Sequence, residues 1–94
     1  MIIIAGYTLT EADERDAAVR GFSEMLERAR KQDGCLDFSI SADTLDAERT
    51  NLFELWRDQE SLDAWRKVAK GPRGIKIKKA LVKLYRTERA EKPF

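Results

Sequence analysis

The sequence predicts an α+β fold with the element order β-α-β-β-α-β and an antiparallel sheet, and three observations predict it. Leu36, Phe38, Ile40 and Ala42 alternate with Asp37, Ser39, Ser41 and Asp43, the period-two signature of a half-exposed strand. In the next extended stretch Leu52, Glu54 and Trp56 share one face while Phe53 and Leu55 share the other, so that strand is covered at least partly on both sides. Two further segments carry apolar residues at three- and four-residue spacing, the stripe of an amphipathic helix. A sheet covered on two faces in a chain of 94 residues needs more than one layer of its own helices, and a second copy of the chain supplies the other cover.

The elements follow in order. Ile2 to Thr10 is rich in β-branched and aromatic residues and reads as the first strand. An acidic cluster then starts a helix, with Thr10 or Asp13 as N-cap and Glu11, Glu14 and Asp16 placing negative charge where the helix dipole favours it. Val19, Phe22, Leu26 and Ala29 give its stripe, Arg28, Arg30 and Lys31 close it, and Asp33-Gly34 stops it. Strand two begins at Cys35. The polar connection from Asp43 to Arg49 has hairpin length, so strands two and three are antiparallel neighbours. Asp58 caps a second helix with Leu62, Trp65 and Ala69 on its stripe, ending at Lys70-Gly71-Pro72 because Pro72 disfavours helix before it. Residues 75–80 read equally as a short helix or an extended lead-in, and Leu81 to Thr87 is the last strand. The order matches the split βαβ arrangement of ferredoxin-like folds, in one domain over residues 1–94 without repeat or linker.

Composition narrows the function classes. With 43% hydrophobic and 37% charged residues, and 18 basic against 17 acidic, the chain is globular and nearly neutral at net +1. Cys35 is the only cysteine, which excludes an internal disulfide framework and a cysteine-built metal cluster and suits the cytoplasm. The apolar start lacks a basic n-region and meets Glu11, Asp13 and Glu14 soon after, so it is read as neither a signal peptide nor a membrane span.

D-G-C-L-D-F-S-I at Asp33 to Ile40, followed by F-E-L-W-R-D-Q-E-S-L-D-A-W at Phe53 to Trp65, resembles the antibiotic biosynthesis monooxygenase family, whose pattern is close to P-G-C-x-x-(Y/F), then E-x-(W/Y)-x-(D/N)-x-x-(A/S)-(L/F)-x-x-H. The resemblance implies a homodimeric α/β barrel in which two ferredoxin-like sheets face each other, with a cavity between sheet and helices in each protomer. It implies oxygenation of quinol-like or anthrone-like aromatics, often without metal or flavin, and a subgroup degrades haem. This chain departs from the pattern in having no histidine, with Trp65 where most members carry the first histidine of that helix. Haem-degrading relatives have a tryptophan there too, but also an asparagine in the first strand, where this chain has Gly6-Tyr7, and a histidine iron ligand where Ile75 or Lys76 falls. That argues against a haem-degrading role, and no acidic spacing suggests a metal cage, so no metal and no cofactor are expected.

The resemblance therefore points to a cofactor-independent monooxygenase acting on a small aromatic, with a non-catalytic ligand-binding or structural relative as the alternative. Trp56 and Trp65 are candidate walls for a flat ring, Tyr7 or Tyr85 candidate hydrogen-bond partners of a substrate oxygen, and Asn51 or Arg86 candidate stabilisers of an anion. Glu54, which matches the family's glutamate, is a candidate base or polar anchor. Each also has a plain structural reading: Trp65 as helix core, Trp56 as dimer filling, the tyrosines as ordinary strand residues, Asn51 as a strand start, Arg86 as solvated and Glu54 as half of an ion pair. Phe38 is the position at which an aspartate tests the shared sheet face, provided its side chain lies there.

Charge is segregated. From Ala64 to Thr87 there are nine basic residues, Arg66 and Arg86 among them, and no acidic one, whereas residues 1–47 hold five basic and ten acidic. The plain reading is a solvated face meeting the acidic first helix; an anionic ligand is the sharper one. Arg73-Gly74-Ile75-Lys76-Ile77 places isoleucines where an RNA-binding sheet needs rings to stack on bases, so nucleic acid is not expected as a partner.

Overall fold

The computed structural model describes residues 1–94. Four strands, β1 (Ile2–Leu9), β2 (Cys35–Ala42), β3 (Arg49–Trp56) and β4 (Lys79–Arg86), form one antiparallel sheet in the order β2-β3-β1-β4. Three helices, α1 (Ala12–Gly21), α2 (Ser23–Lys31) and α3 (Gln59–Val68), connect them. Because β3 is antiparallel to both β1 and β2, the latter two run parallel with β3 inserted between them; β3 and β4 likewise flank β1. The result is two interleaved split βαβ units, the ferredoxin-like arrangement.

The expected single first helix is two. Phe22 sits at φ −83°, ψ −6°, and its N–H reaches the Val19 carbonyl at 3.2 Å, a tight i−3 turn at the break. Gly21, the weakest helix former of the segment at about 1 kcal/mol below alanine, marks the site. Neither Thr10 nor Asp13 caps α1. Its N-cap is Glu11, which makes no side-chain cap bond, and the Thr10 hydroxyl donates instead to the Glu11 carbonyl at 3.4 Å. Asp58 does cap α3, accepting from the Ser61 N–H at 2.8 Å. Beyond α3 the chain runs without helix to residue 78. The Lys78 N–H then donates to the Leu9 carbonyl at 2.8 Å, and β4 starts at Lys79, two residues earlier than expected.

The core lies on one face of the sheet. Ile2 and Ile4 of β1, Phe38 of β2 and Trp56 of β3 pack there against Ala29 of α2 and Leu62 and Trp65 of α3. Trp56 stacks on Trp65 with centroids 6.3 Å apart, and Phe38 meets both rings edge-on at 6.5 and 6.3 Å. Leu36 breaks its predicted alternation: a bulge between Cys35 and Asp37 turns it outward, leaving it 53% exposed. Gly6 holds φ +152°, and a β-carbon there would collide with the Leu81 carbonyl of β4.

No helix covers the opposite face. Ile3, Ala5 and Tyr7 of β1 lie there beside Phe53 and Leu55 of β3 and Leu81 and Tyr85 of β4, with Leu81 39% and Tyr85 51% exposed. Phe38 is not on this face. It is buried against the helices, so it belongs to the core rather than to a shared surface.

Candidate functional site

Between the helix-side face of the sheet and the α1–α2 junction lies a cavity of about 250 Å³. Strand periodicity places Thr8 of β1 and Thr50, Leu52 and Glu54 of β3 on its floor, because alternate residues share a face. The helix break turns Phe22 and Met25 into its roof, and the irregular segment before β4 contributes Ile75 and Ile77. A larger hollow of about 460 Å³ lies outside, between α1 and residues 72–76. It carries Asp13, Glu14, Arg73 and Lys76 and shares Thr10, Ala18 and Ile75 with the inner cavity, which suits it to be the entrance. The inner cavity is partly open, and its lining is mostly apolar, which suits a flat ring.

Glu54 is the only ionisable side chain lining that cavity. Burial pushes its carboxyl above the ordinary range, against the lowering influence of the Trp56 hydrogen bond and the Arg66 charge. The Trp56 indole N–H donates to Glu54 Oε1 at 3.0 Å, which orients the carboxyl and leaves Oε2 without a protein partner. At the other end Thr50 is only 6% exposed, and its hydroxyl oxygen is buried with no hydrogen-bond partner.

The other sequence candidates are elsewhere. Trp65 is core: it is 4% exposed, stacked on Trp56, and borders only a shallow depression beside Arg28 and Val68. Trp56 is fully buried and reaches the site only through Glu54. Tyr7, Asn51 and Tyr85 project from the opposite face of the sheet. There Tyr7 lies under the Arg49 guanidinium at 3.9 Å, while Asn51 accepts from Arg49 at 2.7 Å and donates to Asp43 at 2.9 Å. Arg86 pairs with Ile2 at the end of the sheet and borders a separate depression with Thr87 and Glu88. No group of three or more His, Cys, Asp or Glu side chains gathers to hold a metal ion.

Thr50, Phe22, Ile75 and Ile77 line the cavity without standing out as site residues in the sequence. Thr50 was legible, since it has the same parity as Leu52 and Glu54 on β3. In the sequence Phe22 is one more member of the helical stripe, since nothing local marks the helix break, and Ile75 and Ile77 lie where the sequence reads equally as helix or extended chain.

Residues 1–70 match the family described as antibiotic biosynthesis monooxygenase. Among solved structures, a provisionally named antibiotic biosynthesis monooxygenase from Deinococcus radiodurans superposes with a TM-score of 0.74 at 16% identity, covering 100% of this chain and 99% of its own. A protein from Pseudomonas aeruginosa gives 0.69 at 20% identity, with 93% of each chain covered. A heme-degrader from Mycobacterium tuberculosis, solved with two hemes in its active site, gives 0.68 at 12% identity, covering 98% of this chain and 100% of its own. At these identities the likeness is one of fold. No curated protein is significantly similar in sequence.

Proposed function

The chain belongs to the antibiotic biosynthesis monooxygenase family, and from that premise we propose that residues 1–94 act as one domain, a cofactor-independent monooxygenase for a small quinol- or anthrone-type aromatic. The observation that carries this reading is Glu54: one carboxyl, aimed by the Trp56 indole, in a cavity otherwise lined by apolar side chains and hydroxyls. Glu54 takes a proton from the bound ring system, and the resulting carbanion or phenolate reduces dioxygen. One oxygen atom enters the ring system, as a carbonyl in an anthrone or as a hydroxyl on the quinone formed from a quinol, while the other leaves as water with the two hydrogens the substrate gives up, so the substrate is the only reductant. The apolar walls restrict water around the anion. The site works in a homodimer whose partner covers the open sheet face, and the single cysteine suits the cytoplasm.

Absence of histidine, the family's usual base, favours a second reading in which the same cavity binds such a ring without oxygenating it. An oxygen electrode separates the two. Stoichiometric uptake with hydroquinones or anthrones above their autoxidation rate, lost in Glu54→Gln, is expected of the oxygenase; binding without uptake marks the second reading.

A further inference from the structure

The segment between α3 and β4 is fastened at its two ends and nowhere between. At one end the Arg28 guanidinium, braced on the Glu24 carboxylate, donates to the Lys70 carbonyl at 2.7 Å. At the other the Lys78 N–H donates to the Leu9 carbonyl, and the Lys78 ammonium pairs with Glu48 and Glu11. From Gly71 to Ile77 the backbone makes no hydrogen bond to the rest of the protein, and neither Arg73 nor Lys76 forms an ion pair. A strap held only at its ends moves at a small fraction of the cost of unfolding. Gly74, at φ +82° with nothing within 4 Å of where a β-carbon would stand, gives it a place to bend.

The wall opposite the strap complements it in charge and shape. Across the outer hollow stand Asp13 and Glu14 of α1, also without ion pairs, and these two with Arg73 and Lys76 are the only charged side chains that line it. The rest of the α1 wall includes Ala17, Ala18 and Gly21, small enough for a backbone to lie against. Pro72 already does so, since a β-carbon on Gly21 would meet its ring at 3.4 Å. Ile75 borders both the outer hollow and the inner cavity, so a movement of the strap towards α1 carries that side chain across the passage between them. We infer that residues 71–77 are a lid, open in this structure, which closes over an occupied cavity when Arg73 and Lys76 pair with Asp13 and Glu14. Closure shelters the ligand from water and slows its release. The inference rests on the reading of the inner cavity as the ligand site; it concerns ligand exchange and needs no oxygen chemistry.

The test is stopped-flow release of 2-naphthol, a neutral ring, followed by the fluorescence of the naphthol itself. Asp13→Asn with Glu14→Gln is expected to speed release about fivefold. Salt at about 1 M, where screening acts within about 3 Å, is expected to do the same to the parent. Exchanging the signs, with Asp13→Lys and Glu14→Lys against Arg73→Glu and Lys76→Glu, is expected to restore slow release, which a basic patch that merely steers anions would not do. Release unchanged by neutralising the acids, or not recovered by the exchange, overturns the inference. Closure is also read without a ligand. Glu14→Cys with Lys76→Cys, in a Cys35→Ser background, is expected to form an intramolecular disulfide on mild oxidation, and to form it more slowly when Asp13→Asn is added. Failure to cross-link overturns the lid. A cross-link in a protein that binds no naphthol supports the lid and removes only the reading of the cavity as a ring site.

Discussion

Glu54 and Asp58 sit four residues apart, yet their surroundings push the two carboxyls in opposite directions. Asp58, at the head of α3, is held at about 2 by hydrogen bonds from the Ser61 side chain and backbone N–H and from Arg57. Its contribution to stability is complete above the unfolded value of about 3.9 and is lost as the pH falls towards the folded one. Asp58→Asn, which keeps a capping oxygen, is expected to flatten the fall in melting temperature between about pH 4 and pH 2 relative to the parent. Glu54 is raised by burial, so the fold favours its protonated form. Its contribution is greatest below about pH 4.3 and declines as the pH rises through the folded value. In the proposed role of base it would work only once ionised. Oxygen uptake is therefore expected to climb with pH along a limb lying above the ordinary carboxylate range, and Glu54→Gln, which keeps an acceptor for the Trp56 indole, to abolish that limb. A pH–rate profile of the two proteins decides it. Trp65 behaves as core: with Trp56 on one side and the Phe38 edge on another, Trp65→Ala is expected to cost about 3–5 kcal/mol in denaturant unfolding whether or not a ring is present. A loss of ring affinity with stability intact would return Trp65 to the site.

At the scale of elements, what was legible depended on whether the deciding physics was local. The alternation of β2, the two-sided character of β3 and the Asp58 cap of α3 rest on a few adjacent residues, and each was readable. The break at Phe22 was not, because Val19, Phe22, Leu26 and Ala29 keep helical spacing across it and only the packing beneath decides where the axis turns. The bulge that expels Leu36 was hidden for a related reason: it is a property of the pairing with β3, which the isolated strand does not contain. The candidate site was half legible. Glu54 and Trp56 could be placed on one face, whereas Tyr7, Asn51 and Tyr85 were grouped with them by chemistry although their parity sends them through the sheet. Gly6 illustrates the same limit, since its need for glycine comes from β4, some 75 residues later in the chain. Gly6→Ala is expected to loosen the β1–β4 pairing and lower the denaturant midpoint, with faster hydrogen exchange concentrated in β4. A uniform loss of protection across all strands would argue against that local clash.

For the whole molecule, the two faces of the sheet are unequal in a way that a lone protomer does not resolve. The helix side is filled by the aromatic cluster and the cavity. The other presents Leu81 and Tyr85 exposed and Ile3, Phe53 and Leu55 half-buried, a row of apolar side chains that no helix of the same chain covers. The basic segment does not blanket it: of the nine basic residues between Ala64 and Thr87 only Lys78 forms ion pairs, at 2.7 Å with Glu48 and 3.6 Å with Glu11. The contact with Glu11 ties Lys78 to the acidic start of α1, and the shorter one ties it to the β2–β3 connection that holds Glu48. A second copy placed sheet to sheet would cover the apolar surface, and a stable interface of about 800 Å² per partner is within the reach of such a face. Light scattering at micromolar concentration is therefore expected to give twice the 10.8 kDa chain mass. Phe53→Asp puts a charge into the covered surface without entering the core, so it is expected to yield folded monomers with an unchanged far-ultraviolet dichroism spectrum. Phe38→Asp, by contrast, buries the charge between Trp56 and Trp65 and is expected to unfold the protein rather than split it. A parent that scatters as a monomer, or a Phe53→Asp variant that still scatters as a dimer, would remove the sheet-to-sheet assembly.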